Sequence, residues 1–378
     1  MGYSEYCLDL LSRLVAISSE SQQEDAIAKF LFDWLRNMGV ESTLHRLSNT
    51  SFNVYGSLKG KRTENPEMKV IIGGHIDTVS ISPNWATDPF TLTQAGNNLY
   101  GLGAGDMKGG IAALITAMKM LIDKGLDFVG DLEFVGLGDE ERFSDGAKLY
   151  SKLEQRWHGA SFAIFAEPHF DEIVVGAPGK SLIECMITGN PGHAASPKSG
   201  VNAIDCACEL FYRLMQEYQG VEFSDVFGSF CALSIDSNNS GYSLSIPAEC
   251  TILINKQIGL NEQISSFISK IENVYSKFVG RGNVTVSAIE PKYQPYLLDI
   301  ANPNLKKLIG IIEDKSRRVP KLIVNDGVSD ANIFVTDLQI PTVLYGPKGV
   351  DIHKPNEYVE NSSLIDYSQS IADFIEAL

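Results

Sequence analysis

Five short stretches place histidines and carboxylates where a packed core has no use for them. "VIIGGHIDTV" (Val70–Val79) is a β-prone apolar run that ends in two glycines and then sets His75 and Asp77 with one residue between them, on the same side of a strand. "GLGAGDMKGG" carries Asp106 at the entry to a long apolar segment, and Asp139, Glu140 and Glu141 directly follow "DLEFVGLG". Glu167 follows "ASFAIFA", and His353 follows "TVLYGPKGVD". Imidazole nitrogen and carboxylate oxygen suit a divalent ion such as zinc, in a site that keeps one position for water. Two ions a few ångström apart need a carboxylate between them and separate terminal ligands for each. Two histidines and three acids suffice, with one acid left as a base. The Asp-Glu-Glu run fits that division, because adjacent residues do not easily reach one ion: one glutamate ligates while its neighbour takes a proton from the water.

Plainer explanations exist for each stretch alone. A single histidine after a strand is more often a hydrogen-bonded structural residue, and an acidic run is usually a solvated turn. The glycine-rich stretch imitates a phosphate cradle, but the third glycine of G-x-G-x-x-G falls on Asp106 and no G-K-[ST] follows. A carboxylate aimed into such a cradle repels phosphate. What favours a common site is shared placement: in open α/β sheets the carboxyl ends of strands face the ligand crevice, and these residues sit there.

The elements that must position them are readable in outline. Helical spacing covers residues 5–18 and 23–38, followed by a glycine stop in "NMGV". "FNVYGSL" and "KVIIGG" read as strands separated by a polar linker, and a core helix runs from Met107 to about Lys124. "DLEFVGLG" and "ASFAIFAEP" are further strands around a helical segment near "GAKLYSKLEQ". This alternation predicts an α/β fold, a mixed, mostly parallel sheet flanked by helices. Past "GAPGKS" the order becomes β-α-β-β-α-β: strand "SLIECMITG", helix Val201–Gln219, strand material in "YSLSIPAECTILINKQIG", helix Asn261–Val279 and strand "NVTVSAIEP". That is a ferredoxin-like α+β insertion. The α/β pattern resumes with a helix at Asn304–Arg317, the strand "PTVLYG" and a helix at Ser363–Leu378. The expected division is 1–178 and 292–378 for one discontinuous domain and 179–291 for the insertion.

Composition narrows the partners. Among 378 residues, 31 basic and 47 acidic side chains give a formal charge of −16, which argues against nucleic acid or an anionic membrane as partner. The N-terminal stretch is an amphipathic helix rather than a signal peptide, and no apolar run is long enough to span a bilayer. Six cysteines without a C-x-x-C pair read as reduced thiols of a cytoplasmic protein.

"GGHIDTV", "GLGAGDMKGG", "GDEE", "AEP", "GNPGHAASP" and "HKPNEYV" occur in the order and at the spacing of one family, so that nearly the whole chain resembles it. This is the co-catalytic zinc aminoacylase and carboxypeptidase family, which includes acetylornithine deacetylase, succinyl-diaminopimelate desuccinylase and glutamate carboxypeptidase. The resemblance implies two Zn²⁺ per subunit, with Co²⁺ or Mn²⁺ able to fill the same donors. It implies that Asp106 bridges the ions, that His75 and Glu167 complete one sphere, and that Glu141 and His353 complete the other. Asp77 would accept the His75 ring N–H, and Glu140 would be the general base. The insertion would be a lid and dimerisation domain, with His193 of "GNPGHAASP" reaching the partner subunit's active site in a homodimer. The implied reaction is hydrolysis of an amide bond in a small N-acyl amino acid or a short peptide.

The substrate pocket departs from the family pattern. Ser245 in "SLSIP" stands where many relatives have asparagine, Gln257 in "NKQ" replaces an arginine, and Asn332 in "SDANIF" replaces the arginine of the desuccinylases. Neither amide replaces a bidentate guanidinium, which leaves Lys256 or Lys180 as carboxylate grips. A succinylated substrate is therefore disfavoured against a smaller acyl group or a peptide. Three readings stand: an N-acyl-amino-acid deacylase, a dipeptidase or carboxypeptidase on the same metal site, and a non-catalytic binding protein that keeps the fold. The intact set of His75, Asp106, Glu140, Glu141, Glu167 and His353 opposes the last.

Overall fold

The computed structural model describes residues 2–62, 64, 68–218, 228–237 and 244–378. It divides into two compact units: residues 1–176, 297–324 and 329–378 form the first, and residues 177–296 with 325–328 form the second.

The first unit is built on a nine-stranded mixed sheet. Its centre is four adjacent parallel strands, in the order Asp131–Leu137, Lys69–His75, Ala160–Phe165 and Thr342–Leu344. These are apolar runs buried on both faces, as expected of parallel strands covered by helices. Antiparallel strands Phe52–Lys59 and Glu41–Arg46 extend one edge. Register aligns the four carboxyl ends: His75 lies opposite Leu137, Gly73 opposite Phe165, and Leu344 opposite Phe165. Gly73 is required by the close approach of its neighbour, since a Cβ there would lie 2.0 Å from the Val135 carbonyl oxygen. The helix Gly109–Asp123 is buried almost all round, packed between the sheet and the helices Tyr3–Val15 and Asn361–Ala377. A small four-stranded sheet brings Tyr358–Glu360 beside Asn98–Tyr100 and Gly349–Val350.

The second unit is an antiparallel sheet in the order Phe230–Asp236, Glu249–Ile258, Gly179–Thr188, Asn283–Tyr293. Helices Ala203–Glu217 and Ile264–Val274 cover one face, over a core that includes Ile183, Cys185, Ile252 and Phe267. This is the ferredoxin-like order. One of its strands is not where the sequence pattern put it. Strand material was expected across 242–259, but among the described residues there only Glu249–Ile258 is strand, and it pairs antiparallel with Phe230–Asp236. Leu244, Ser245 and Ile246 alternate like a strand, yet Pro247 cannot donate to a ladder, and the pairing of Ser245 with His193 is an isolated bridge. Tyr242, Ser243 and Gln219, also assigned to elements from the sequence, lie outside the described residues.

Among the described residues no helix is long and apolar enough to cross a membrane. All six cysteines are free, four of them buried.

Candidate active site

The four parallel strand ends converge on one cluster. His75 terminates its strand, Glu140 and Glu141 lie just past Leu137, Glu167 lies two residues past Phe165, and His353 lies in the loop after Leu344. Asp106 comes from the other direction. It sits in a break before the helix Gly109–Asp123, with an extended backbone (φ −124°, ψ 97°) that turns its carboxylate out of the helical path.

The side chains form two donor groups that share Asp106. His75, Asp106 and Glu167 are one, and Asp106, Glu141 and His353 are the other; within each, the ligand atoms all lie within 4.8 Å of one another. Asp106 divides its oxygens between them: Oδ1 is 3.0 Å from His75 Nε2, and Oδ2 is 3.2 Å from His353 Nε2. His75 Nε2 is 4.0 Å from Glu167 Oε1, and His353 Nε2 is 3.0 Å from Glu141 Oε1. Two donors on a tetrahedral zinc ion, each about 2.0–2.2 Å from it, are about 3.3–3.5 Å apart. The groups are therefore of the size and chemistry to hold one divalent ion each. Glu140 belongs to neither group.

The charges explain what an ion would relieve. Burial opposes a proton on His75, but Asp106 and then Glu167 outweigh it and raise the imidazole well above its usual range. Hydrogen bonds donated by its ring N–H to Asp106 and Glu141 raise His353 to about 10. Asp106 is driven below the carboxylate range; its burial acts the other way, and the bonds to His353 and His75 prevail. Burial is the largest cause that raises Glu167 and Glu140, with Asp106 adding for Glu167, and with Glu167 and Asp330 adding for Glu140. Without a cation, the cluster holds together through protons.

Hydrogen bonds fix the orientation of these groups. His75 Nδ1 is 3.1 Å from the backbone carbonyl oxygen of Asp77. A carbonyl only accepts, so Nδ1 is the donor and Nε2 is left for an ion. Here the structure corrects the expectation for Asp77: its carboxylate is 3.6 Å from Nδ1, and the main-chain carbonyl takes the bond because the chain turns immediately after the strand. The Asp77 carboxylate holds the acidic loop instead. It accepts the backbone N–H of Glu140 and of Glu141, both at 3.1 Å, and the Ser21 hydroxyl at 2.7 Å. Glu24, fully buried, accepts the Asp139 N–H at 3.1 Å, so each residue of the acidic run is tied to a carboxylate through its backbone.

The remaining predicted residues fall elsewhere. His193 lies in the second unit, exposed, on a turn paired with 244–246. Its Nδ1 accepts the Ala195 N–H at 3.1 Å, which leaves Nε2–H as an outward donor. Lys256 is not a carboxylate grip: fully buried, it donates to the Gly228 and Gln257 carbonyls and to Glu262. Gln257 is likewise engaged, donating to the Asp326 carbonyl at 2.7 Å and accepting from Ser229 at 2.8 Å. Asn332 is buried and caps its own helix by accepting the Ser329 N–H at 3.0 Å. Lys180 lies half-buried on the strand opposite Gln257. Sequence reasoning missed Ser21 and Glu24 and gave no role to Glu357, although Glu357 stands inside the quoted "HKPNEYV".

The pattern of Peptidase family M20/M25/M40 matches residues 71–377, a span that contains every one of these donors. The chain belongs to this family. Like its M20 relatives, it is a metal-dependent hydrolase of amide bonds. It is 26% identical to a succinyl-diaminopimelate desuccinylase of Buchnera aphidicola subsp. Cinara cedri, over 98% of both chains. It is 25% identical to an acetylornithine deacetylase of Yersinia pseudotuberculosis, over 96% of this chain and 92% of that protein. The M20 fold is shared with the crystal structure of a tripeptidase from Staphylococcus aureus, with a TM-score of 0.82 at 21% identity over 99% and 98% of the two chains.

Proposed function

We propose that this chain deacylates small N-acyl amino acids, using two Zn²⁺ per subunit, as a cytoplasmic homodimer joined through its second unit. The observation that carries the reading is the sharing of Asp106 between two donor groups, with Glu140 beside them and in neither. His75, Asp106 and Glu167 would hold one ion and Asp106, Glu141 and His353 the other, and Co²⁺ or Mn²⁺ would fit the same donors. When bound, such a pair acidifies a water and polarises the amide carbonyl.

The chain's own groups move the protons. Glu140 takes a proton from the attacking water as the carbon–oxygen bond forms, and returns it to the amide nitrogen as the carbon–nitrogen bond breaks. Asp77 keeps Glu140 in place through its backbone N–H. His193 of a second subunit would donate its Nε2–H to the carbonyl oxygen as negative charge develops there.

The acyl group is read from what is already engaged. Gln257 and Asn332 stand where relatives have arginines, and the side chains of both are bonded within their own units. No guanidinium stands at either position to grip a succinyl carboxylate, which favours acetyl or formyl. The test is amine release by the zinc- or cobalt-loaded protein from N-acetyl, N-formyl and N-succinyl amino acids and dipeptides. Turnover of the acetyl or formyl compounds supports the proposal. A preference for dipeptides would replace it with a dipeptidase or carboxypeptidase on the same site, and a preference for succinyl compounds would overturn the reading of the pocket. Silence with both metals bound would mean a substrate outside this panel or a binding protein that keeps the fold.

A further inference from the structure

Glu357 is 1% exposed, and its carboxylate accepts hydrogen bonds from main chain. Oε1 accepts the N–H of Asp106 at 2.8 Å and of Gly105 at 2.9 Å, and Oε2 is 3.3 Å from the N–H of Gly103. Three donors of one loop therefore converge on one buried side chain. Its own main chain joins in, since the Glu357 carbonyl accepts the Gly101 N–H.

The placement of Glu357 in its own segment matters as much. Gly349–Val350 pairs with Tyr358–Val359, so residues 349–359 form a hairpin with His353 at its tip and Glu357 at its base. The same returning strand pairs with Asn98–Tyr100, which leads into the Asp106 loop. The tip is irregular: Asp351, His353 and Asn356 all have left-handed backbones (φ 55°, 61° and 65°), and the Asn356 side chain accepts the Ala86 N–H at 2.7 Å. Gly105 leaves little room at the grip: a Cβ there would lie 3.1 Å from the Tyr358 carbonyl oxygen and 3.3 Å from Glu357 Oε1, so the carboxylate would have to give by a few tenths of an ångström.

We propose that Glu357 is a positioning residue that locks the His353 hairpin to the Asp106 loop and so sets the spacing of the Asp106–Glu141–His353 ion site. The inference rests on the reading of Asp106 as a ligand shared by two ions. A glutamine at 357 keeps an acceptor for Gly105 and Asp106 but turns an NH₂ group towards the Gly103 N–H, donor against donor, and removes the charge. The buried His75–Glu167 side takes no donor from the hairpin and shares only Asp106 with it, whose Oδ1 His75 Nε2 holds at 3.0 Å.

The test is a two-step titration of metal-free full-length protein with chelator-buffered Zn²⁺, alongside thermal unfolding of the metal-free protein. Glu357→Gln should weaken one of the two zinc ions by about 10–100-fold, the usual effect of losing a partner that orients a ligand. The other ion should stay within about threefold and the unfolding midpoint within a few degrees, unlike a general loss of structure. Gly105→Ala presses on the same oxygen and carries the same expectation, should the glutamine variant fail to fold. Two zinc ions at wild-type affinity in these variants, or two weakened equally, would overturn the proposal. Asp106→Asn is measured in parallel. If it also keeps both ions at full affinity, the shared-ligand reading itself falls and takes the proposal with it; if it loses zinc while Glu357→Gln does not, only the role of Glu357 falls.

Discussion

His75 with Glu167, and His353 with Glu141, use the same two donor types in opposite settings. The His75 side chain is 1% exposed, on the last residue of a strand hydrogen-bonded to neighbours on both sides. The His353 side chain is 50% exposed, at the tip of a hairpin whose turn contains three left-handed residues. A ligand on a central strand inherits the rigidity of the sheet, and a ligand on a loop must be held by particular bonds. Seen this way, one half of the site is set by the fold and the other by Glu357 and Asp77. The first should bind its ion as soon as the protein is folded, and the second should respond to small changes in its supports.

The largest expected effect separates the halves directly. His75→Ala should leave no ion bound after dialysis and no turnover, because it opens the buried half and deprives Asp106 of one of its two partners. His353→Ala should retain one ion per chain. Metal content measured by elemental analysis decides it; equal losses in the two variants would break the contrast. Glu140→Ala comes next. It should lower kcat by about 10²–10⁴-fold, the range for a lost general acid-base, with both ions retained. Loss of an ion would instead place Glu140 among the ligands, and the division into two three-residue groups would need redrawing.

Much of this contrast was legible in the sequence, for a physical reason. A parallel strand buried on both faces is a continuous apolar run, so the polar residues that end it stand out within a few positions: His75 after "KVIIGG", Glu167 after "ASFAIFA". The supports were not legible. Glu24 meets the Asp139 N–H across 115 positions, and Glu357 meets that of Asp106 across 251. A carboxylate that accepts backbone N–H groups has no local signature, because its partners carry no side-chain identity. Asp77 was found but matched with the wrong partner, since the competition between its carboxylate and its own carbonyl is settled by the turn after the strand. The strand Phe230–Asp236 was missed for a related reason: residues 244–246 show the same alternation, and only pairing tells them apart.

A smaller effect is carried by pH. In metal-free protein both imidazoles hold their protons above the usual range, His353 up to about 10. A ligand nitrogen must be free of its proton, so each ion that binds near pH 7 expels protons and binding tightens as pH rises. The slope is up to about tenfold in affinity per pH unit for each proton displaced. A raised imidazole pKa also stabilises the folded metal-free protein at pH values below the unfolded imidazole value, and that support is lost as pH rises through the folded one. Melting of the metal-free protein should therefore worsen from pH 7 towards pH 10, while the loaded protein, whose imidazoles are already bound, should not follow. Zinc affinities independent of pH would mean that carboxylate fields do not hold these protons, and the electrostatic account of both halves would fail.

The last effect concerns what both halves lack, a donor for the oxygen that becomes negative during hydrolysis. Neither donor group offers one beyond its ions. His193 lies in the second unit, with Nδ1 occupied by Ala195 and Nε2–H facing outward. If it serves the site of a partner subunit, Glu140→Ala and His193→Ala chains are each inactive alone but complementary when mixed. Random exchange makes half of the dimers mixed, and in each of these one site pairs an intact Glu140 with an intact His193. About a quarter of all sites, and about a quarter of wild-type activity, should return. Exchange is verified by mass spectrometry of tagged chains. Recovery near that fraction assigns the donor to the partner, because a site completed within one chain gains nothing from mixing. No recovery, with mixed dimers present, would show that each chain completes its own site, and His193 would then serve its own chain rather than a partner.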